Sequence, residues 1–376
     1  MQKELAYHTD WLSLGAALLL VGAGLITMNS FSASNAFFEQ QIVWVLVALA
    51  VFLGASAIDW RFLRSTSVVT TLFLISVGAL LLLFALGTIT KGAISRFDIG
   101  LFFIQPSDPA KLVLVILLAK YFSRRHIEIA HVKHIIVSGI YALIFFILLF
   151  LQPDFGGAII VFALWFGMVL VSGISKKHLL VVAGIGLATF AVLWMFVFQD
   201  YQKSRIMTFV NPLTDVQGAG YNAYQSMVTV GSGQWLGKGV GFGTQSRLQF
   251  LPEYETDFIF AAFAEEWGFV GVLLLTGCFG FLMWRVIREA LHGATNFEVL
   301  FGLGVALMFI APWIVHVGMN IGWLPITGTV LPLVSYGGSH LVIEFLALGM
   351  LAGMRRYRRA VHPEMLGGEV LMHDTL

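Results

Sequence analysis

Charged residues are scarce in this sequence, and their scarcity excludes a soluble protein. Only 11% of the 376 residues are charged, whereas 58% are hydrophobic and the mean hydropathy is +0.87. A soluble domain carries about 25% charged residues, which solvate its surface. The composition therefore predicts a polytopic integral membrane protein. The net charge of +1 gives no indication of a nucleic-acid partner.

Cysteine and recognisable metal-binding spacings are also nearly absent. The single cysteine, Cys278, lies inside an apolar run, so an intramolecular disulfide is excluded. No group of Cys, His, Asp and Glu has metal-ligand spacing, and no Ser–His–Asp arrangement indicates a hydrolase. We predict no firmly bound cofactor, while assistance by a divalent cation such as Mg²⁺ or Mn²⁺ stays open.

Ten apolar runs are long enough, or nearly so, to cross a bilayer, which takes about 17–25 residues. The first run has no small-residue cleavage site, so we expect it to be retained as a helix. The fold class is therefore all-α, with about ten transmembrane helices in one domain over 1–360 and a short tail over 361–376. The predicted spans are 11–30, 41–58, 66–87, 108–121, 134–151, 156–173, 178–198, 257–284, 297–320 and 338–354.

Lysine and arginine are unevenly divided between the two sides of these spans. Fifteen of the 22 lie on the side of the termini, six lie on the opposite side, and Lys111 is left inside a span. The positive-inside rule predicts cytoplasmic termini. The longest loop, 199–256 between the seventh and eighth spans, is then extracytoplasmic. The Gly- and Pro-containing polar segments fall on that side too, so we expect function there.

Two predicted spans begin with charged residues at their extracytoplasmic ends. Lys111 follows Gln105-Pro106-Ser107, and burying its charge costs at least about 2.5–3.5 kcal/mol. Asp108 is its i,i+3 neighbour and could pair with it, so Lys111 is either part of a structural ion pair or an anion-binding lysine. Asp154 begins another span, where capping alone could explain it.

Four other polar residues lie within apolar runs. Glu265 and Glu266 are eight and nine residues beyond Asp257, about 12–13 Å deeper along a straight helix. We predict structural roles for both carboxylates. We also predict that His316 and Glu344 are satisfied packing residues.

The segment Gly237–Ser246 is rich in glycine and leads through Leu251-Pro252-Glu253 to Asp257. Its spacing matches neither the P-loop nor the dinucleotide fingerprint, so a nucleotide site is excluded. Carboxylates and cations nevertheless collect on the extracytoplasmic side, which suits general-base chemistry beside a bound anion such as a pyrophosphate. They are Asp108, Lys111, Asp154, Arg205, Lys238, Arg247, Glu253, Glu255 and Asp257.

Eight sequence blocks, in order and covering nearly all of 11–360, resemble the SEDS family (shape, elongation, division and sporulation). They are Gln105-Pro106-Ser107 with Lys111; Gln152-Pro153-Asp154; Arg205 with Asn211-Pro212; Gly220-Tyr221-Asn222 with Gln225-Ser226; Gly231-Ser232-Gly233; Gly237–Ser246; Leu251-Pro252-Glu253 with Thr256-Asp257-Phe258; and Leu331-Pro332 with Ser335-Tyr336-Gly337-Gly338-Ser339.

The resemblance implies a ten-helix glycosyltransferase in the bacterial plasma membrane that polymerises lipid II on its outer face. It also implies a class B penicillin-binding protein and the elongation machinery as partners. The family's essential aspartate falls on Asp257 and its lysine on Lys111. We expect further substrate-binding residues at Asp108, Asp154, Arg205, Lys238, Gln245, Ser246, Glu253 and Ser335.

The chain departs from the family pattern at three positions. Asp108 stands where the family usually has Glu, Phe97 where it has Trp, and His340 where it has a small residue. Asp in place of Glu keeps the charge but shortens its reach by one methylene.

The resemblance suggests a mechanism in which Asp257 accepts the proton of the acceptor sugar 4-hydroxyl. Lys111 and Arg205 would balance the charge on the departing lipid pyrophosphate. A lipid II flippase, a division-type polymerase and a scaffold that only recruits partners are the alternatives. A transporter would need polar residues along a path through both leaflets, often in repeated halves.

Overall fold

The apolar runs fold into long helices, which satisfy their own backbone hydrogen bonds within a bilayer. The structure is a computed structural model that describes residues 10–30, 36–90, 93–98, 103–124, 132–173, 219–248 and 250–361, with isolated positions between 184 and 209. The α-helices of this part are α1 (Trp11–Ser30), α2 (Ala36–Ala57), α3 (Thr66–Leu86), α4 (Ser107–Ser123), α5 (Val132–Leu151), α6 (Phe155–Val171), α7 (Ala219–Ser232), α8 (Thr244–Arg247), α9 (Ile259–Leu291), α10 (Asn296–Asn320) and α11 (Gly338–Val361), and a short 3-10 helix, Trp60–Arg64, lies between α2 and α3.

Nine of the ten predicted spans coincide with helices in the described part of the chain. The predicted span 178–198 lies largely outside the described residues, as does the tail after Val361. Six of the described helices are long and apolar enough to cross a membrane, and α6 is a shorter apolar helix. The prediction of a multi-pass, all-α membrane protein is therefore confirmed.

Three details differ from the prediction. The predicted loop 199–256 contains the helices α7 and α8. A small antiparallel sheet precedes α4, with strands β1 (Thr88–Thr90), β2 (Ala93–Asp98) and β3 (Phe103–Ile104) in the order β1-β2-β3. The eighth predicted span is interrupted, because Gly268 in α9 has φ +65° and ψ −171°.

The interruption at Gly268 follows Glu265 and Glu266 and separates them from the long part of α9. Residues 269–291 alone extend about 34 Å at 1.5 Å per residue, enough to cross the hydrocarbon core. A Cβ at Gly268 would lie 2.2 Å from the amide nitrogen of Gly237, so the loop packs where only glycine fits. The segment 259–267 is therefore a short helix of its own, and the distance of about 12–13 Å from Asp257 to Glu265 and Glu266 along it stays a prediction.

The helix α4 lies at the centre of the bundle. It contacts α3, α5, α6, α10 and α11, and its side chains from Leu112 to Ala119 are all buried. A helix that is apolar on all sides is stable only when other helices surround it. This central position fixes the first turn of α4, where Asp108 and Lys111 lie.

Candidate active site

A cavity of about 730 Å³ lies where the N-termini of α4, α6, α9 and α11 converge. Helix N-termini carry partial positive charge and favour anions. One part of the wall is apolar, formed by Phe37, Trp44, Phe103, Ile160, Met308 and Ile343. Polar lining residues include Gln40, Gln105, Asp108, Lys111, Asp154, Glu253, Glu255, Asp257, Thr327, Thr329, Tyr336, Ser339 and His340.

Lys111 and Asp108 form the ion pair that their spacing predicted. Lys111 Nζ lies 3.1 Å from Asp108 Oδ1, and both side chains are largely buried. Asp108 Oδ2 accepts a hydrogen bond from Ser339 Oγ at 3.0 Å. The pair thus connects the first turns of α4 and α11 on one wall of the cavity.

His340 extends this network toward Glu344. Its Nδ1 lies 3.4 Å from Asp108 Oδ1, and its Nε2 lies 2.8 Å from Glu344 Oε1, an ion-pair distance without aligned hydrogen-bond geometry. Glu344 Oε2 accepts a hydrogen bond from the Leu333 amide at 2.9 Å. Glu344 Oε1 has no hydrogen-bond donor in the described part of the chain, so the prediction of a satisfied packing residue was wrong for this oxygen. Asp108 and His340, two of the three departures from the family pattern, are therefore in contact.

Asp154 caps α6 and also lines the cavity. Its Oδ1 accepts a hydrogen bond from the Gly157 amide at 2.8 Å, so the capping interpretation is confirmed. Burial raises the pKa of this carboxyl, while the Lys111 ammonium opposes the rise. Capping and a position beside the lysine are therefore compatible functions of one side chain.

Asp257 lies in a tight turn immediately before α9. Glu253 has a positive φ of +51°. Its carbonyl accepts hydrogen bonds from the amides of Thr256 and Phe258, both at 3.1 Å. Ser335 Oγ donates to the Thr256 carbonyl at 2.8 Å and accepts from the Leu331 amide at 2.8 Å. The 331–336 turn thereby fixes the backbone on which Asp257 is presented to the cavity.

Asn320 holds the same turn from the opposite side. Its Nδ2 donates to the carbonyls of Asp257 at 3.1 Å and His316 at 2.8 Å, and its Oδ1 accepts from Ser226 Oγ at 3.1 Å. The side chain is buried. Sequence reasoning missed Asn320, although a polar residue that ends an apolar run was a signal for it.

His316, one turn before Asn320, is buried as predicted, but its Nε2 has no hydrogen-bond partner among the described residues, so it is satisfied at Nδ1 alone. Its Nδ1 lies 2.7 Å from the Thr329 carbonyl, and the side chain is fully buried. The contact holds the 327–330 segment, which forms part of the cavity wall.

The Gly-rich segment forms a second polar cluster, around Glu265. Lys238 Nζ lies 2.6 Å from Glu265 Oε1, and the amides of Thr244 and Gln245 donate to this carboxylate at 3.0 and 3.2 Å. The Gly241 amide donates to Glu266 Oε1 at 3.1 Å. The predicted structural role of Glu265 and Glu266 is confirmed, because both carboxylates satisfy backbone donors of the loop.

The structure thus divides the predicted site residues into two groups. Asp108, Lys111, Asp154, Glu253 and Asp257 line the cavity, whereas Lys238, Gln245 and Ser246 lie in the cluster around Glu265 and outside that lining. Ser335 is buried behind the cavity wall. Arg205 lies outside the described residues.

A metal site is not formed within the part of the chain that the structure describes. No group of three or more His, Cys, Asp or Glu side chains there is arranged to hold a metal ion. The divalent cation left open by the sequence has no such ligand set among these residues.

The fold and the cavity together define a polytopic helical membrane protein with a charged site at one end of its bundle. The chain belongs to the SEDS family, since the family model for the cell cycle proteins FtsW, RodA and SpoVE matches residues 5–360.

Relatives with known names extend this result over most of the chain. Peptidoglycan glycosyltransferase MrdB of Escherichia coli is 33% identical over 344 residues, which are 91% of each chain. Stage V sporulation protein E of Bacillus subtilis is 32% identical and covers 93% of this chain and 98% of its own.

Solved structures agree in fold. A chain of a peptidoglycan synthase complex, described as coordinating polymerization and crosslinking, has a TM-score of 0.81 at 30% identity and covers 93% of this chain and 98% of its own. The rod shape determining protein RodA of Thermus thermophilus has a TM-score of 0.70 at 29% identity, with 93% and 97% covered.

Proposed function

We propose that this protein is a peptidoglycan glycosyltransferase that polymerises lipid II into glycan strands on the outer face of the bacterial plasma membrane. The observation that carries the proposal is that Asp257 and Lys111 line one cavity at converging helix N-termini. Relatives that align over nine-tenths of the chain are named peptidoglycan glycosyltransferases, which supports this chemistry.

Asp257 is the general base in this proposal. Its carboxylate accepts the proton of the acceptor sugar 4-hydroxyl as that oxygen attacks the anomeric carbon of the donor. The bond from the anomeric carbon to the lipid pyrophosphate breaks as the new glycosidic bond forms. A positioned base contributes about 10²–10⁴-fold to such a step, and the hydrogen bonds from Ser335 and Asn320 hold the backbone on either side of this aspartate in place.

Lys111 balances the negative charge that develops on the departing pyrophosphate. Its ammonium and the N-termini of α4, α6, α9 and α11 are fixed before the reaction begins, which is how electrostatic stabilisation is most effective. Asp108 and Asp154 hold Lys111 in place, and Glu253 shapes the turn before Asp257. We retain Arg205, Lys238, Gln245, Ser246 and Ser335 as proposed substrate-binding or positioning residues.

The size and lining of the cavity suit a ligand with a polar head and an apolar tail. Ligand pockets commonly measure about 300–1,000 Å³, and this cavity of about 730 Å³ falls in that range. Apolar side chains such as Trp44, Met308 and Ile343 line it beside the charged residues. The polyprenyl chain would follow that apolar wall.

We also propose that the cavity faces outward and that both termini are cytoplasmic. Described cations such as Arg64, Lys120 and Arg285 lie toward the ends of their helices opposite the cavity. The positive-inside rule supports placing that basic end in the cytoplasm.

A flippase is the competing function, and the sequence of α4 after Lys111 argues against it. A transported head group needs polar contacts through both leaflets, whereas the next turns of α4, Leu112 to Ala119, are apolar and buried. These apolar turns separate Lys111 from Lys120, so α4 offers no continuous polar path between its two ends.

The proposal is tested with the purified full-length chain in liposomes that contain fluorescent lipid II. We expect glycan strands longer than one disaccharide, seen by gel electrophoresis, and no faster exchange of lipid II between leaflets than in empty liposomes. Rapid exchange without strands would instead establish a transporter, and neither activity would favour a scaffold.

A class B penicillin-binding protein is the proposed partner, and the elongation machinery its setting. The structural relative from a complex that coordinates polymerization and crosslinking supports this pairing. Division-type relatives named FtsW match at 31–35% identity, so a division role is the second candidate. Rescue of rod shape in cells depleted of MrdB would favour elongation, and rescue of FtsW-depleted cells would favour division.

A further inference from the structure

His340 occupies a position that the proposed chemistry leaves unused. It lies in the first turn of α11, lines the cavity, and its side chain is only 16% exposed. Both ring nitrogens face buried carboxylates: Nδ1 is 3.4 Å from Asp108 Oδ1, and Nε2 is 2.8 Å from Glu344 Oε1.

This geometry selects the charged form of the ring. A neutral imidazole has one donor and one acceptor nitrogen, whereas an ionised carboxylate only accepts. With a carboxylate near each nitrogen, the imidazolium presents positive charge to both: Nδ1–H donates to Asp108 Oδ1, and Nε2–H lies at ion-pair distance from Glu344 Oε1. The neutral ring would place a lone pair against a carboxylate that is almost completely buried, which is costly.

The charge of His340 determines how much of the Lys111 charge remains for a ligand. Lys111 and His340 both approach Asp108 Oδ1, at 3.1 and 3.4 Å. With the imidazolium present, two cations balance the two carboxylates Asp108 and Glu344. Without it, Lys111 faces both carboxylates alone, and this wall of the cavity gains a net negative charge.

The other groups that face this network do not replace His340. The lining residues from α2, Phe37, Gln40 and Trp44, carry no charge. Asp154 before α6 and Asp257 before α9 add negative charge to the cavity.

We propose that His340 is a positioning residue whose imidazolium shares Asp108 with Lys111 and faces Glu344, so that the two cations balance the two carboxylates and the Lys111 ammonium can bind the pyrophosphate of the lipid-linked substrate. The inference rests on the proposed function for the identity of that anion. It assigns a part in substrate capture to a residue outside the set predicted from the sequence.

The test measures equilibrium binding of fluorescent lipid II to the full chain carrying Asp257→Asn, which should slow turnover about 10²–10⁴-fold. Adding His340→Gln should raise the Kd at least about tenfold, since removing one member of a buried charge network leaves its partners uncompensated. Adding Glu344→Gln as well restores the charge balance and should return the Kd to within about threefold. His292→Gln, at an exposed histidine at the far end of α9, is the matched control.

Recovery of the Kd when Glu344→Gln is added to His340→Gln distinguishes positioning from a structural role, because a second buried substitution would not repair a damaged fold. A Kd within about twofold of the parent after His340→Gln overturns the inference. A weakened Kd that Glu344→Gln leaves unrepaired overturns it too. Polymerisation by the Asp257-intact chain is scored separately, so a failure of the proposed function is distinguishable from a failure at His340.

Discussion

At the scale of single residues, the site depends on contacts between distant parts of the sequence. The sequence predicted Asp257, Lys111 and the pairing of Lys111 with Asp108. A charged residue within or at the end of an apolar span is energetically costly, so it indicates a specific interaction or function. It missed Asn320, and it did not anticipate that His340 contacts Asp108. These contacts join residues 63 and 232 positions apart, and local spacing carries no signal for them.

Asn320 offers a prediction at this scale. Asn320→Ala removes the donor to the Asp257 carbonyl, so the carboxylate should lose its fixed position. We expect kcat for strand synthesis to fall about tenfold to 100-fold with KM changed much less, as for misplaced catalytic groups. The measurement is steady-state polymerisation at varied lipid II concentration.

Asn296, an exposed residue at the other end of α10, provides the control substitution Asn296→Ala. An Asn320→Ala protein with the melting temperature and the kcat of the parent would show that Asn320 does not position Asp257.

At the scale of secondary structure, hydropathy located the spans but not their interruptions. The apolar pattern runs through 257–284 without a break, so only the contact between Gly268 and Gly237 reveals where α9 changes direction. The helix α7 escaped prediction because its short and partly polar sequence resembles a loop. Its position is set by packing against α9 and α10.

The contribution of the Glu265 carboxylate to the stability of the Gly-rich segment can be tested by substitution. Glu265→Gln removes the charge that Lys238 and two loop amides bind, while preserving volume. We expect a loss of about 1–3 kcal/mol, typical of weakened buried hydrogen bonds to a charge. Differential scanning fluorimetry should show a lower melting temperature, and limited proteolysis should cleave faster within 233–248.

Glu39→Gln removes an exposed carboxylate from the first turn of α2 and serves as the comparison. Equal melting temperatures and equal proteolysis for the two variants would mean that Glu265 does not hold the loop.

At the scale of the whole molecule, the described charges separate to opposite ends of an apolar bundle. The cavity end holds Lys111 and the carboxylates that line the cavity. The other end holds ion pairs such as Arg64–Glu298 and Arg285–Asp10. Composition and Lys/Arg counting could predict this division, because a bilayer excludes charge from the middle of a span. They could not predict the cavity, whose walls come from segments far apart in sequence.

The proposed orientation can be tested with single cysteines in a Cys278→Ala background. Trp235→Cys, at an exposed residue just before the Gly-rich segment, should react with a membrane-impermeant maleimide in intact cells. Phe62→Cys, between α2 and α3, should react only after permeabilisation. The reverse pattern would place the cavity on the cytoplasmic side.

The role of Asp257 as general base is tested by strand synthesis from lipid II by purified wild-type, Asp257→Asn and Asp59→Asn proteins, with lipid II binding measured in parallel. Asp59, exposed at the opposite end of the molecule, is a matched Asp-to-Asn control. We predict that Asp257→Asn loses about 10²–10⁴-fold in rate yet binds lipid II within about threefold of wild type, as expected when a general base is removed. Strand synthesis by Asp257→Asn at the wild-type rate would contradict the account.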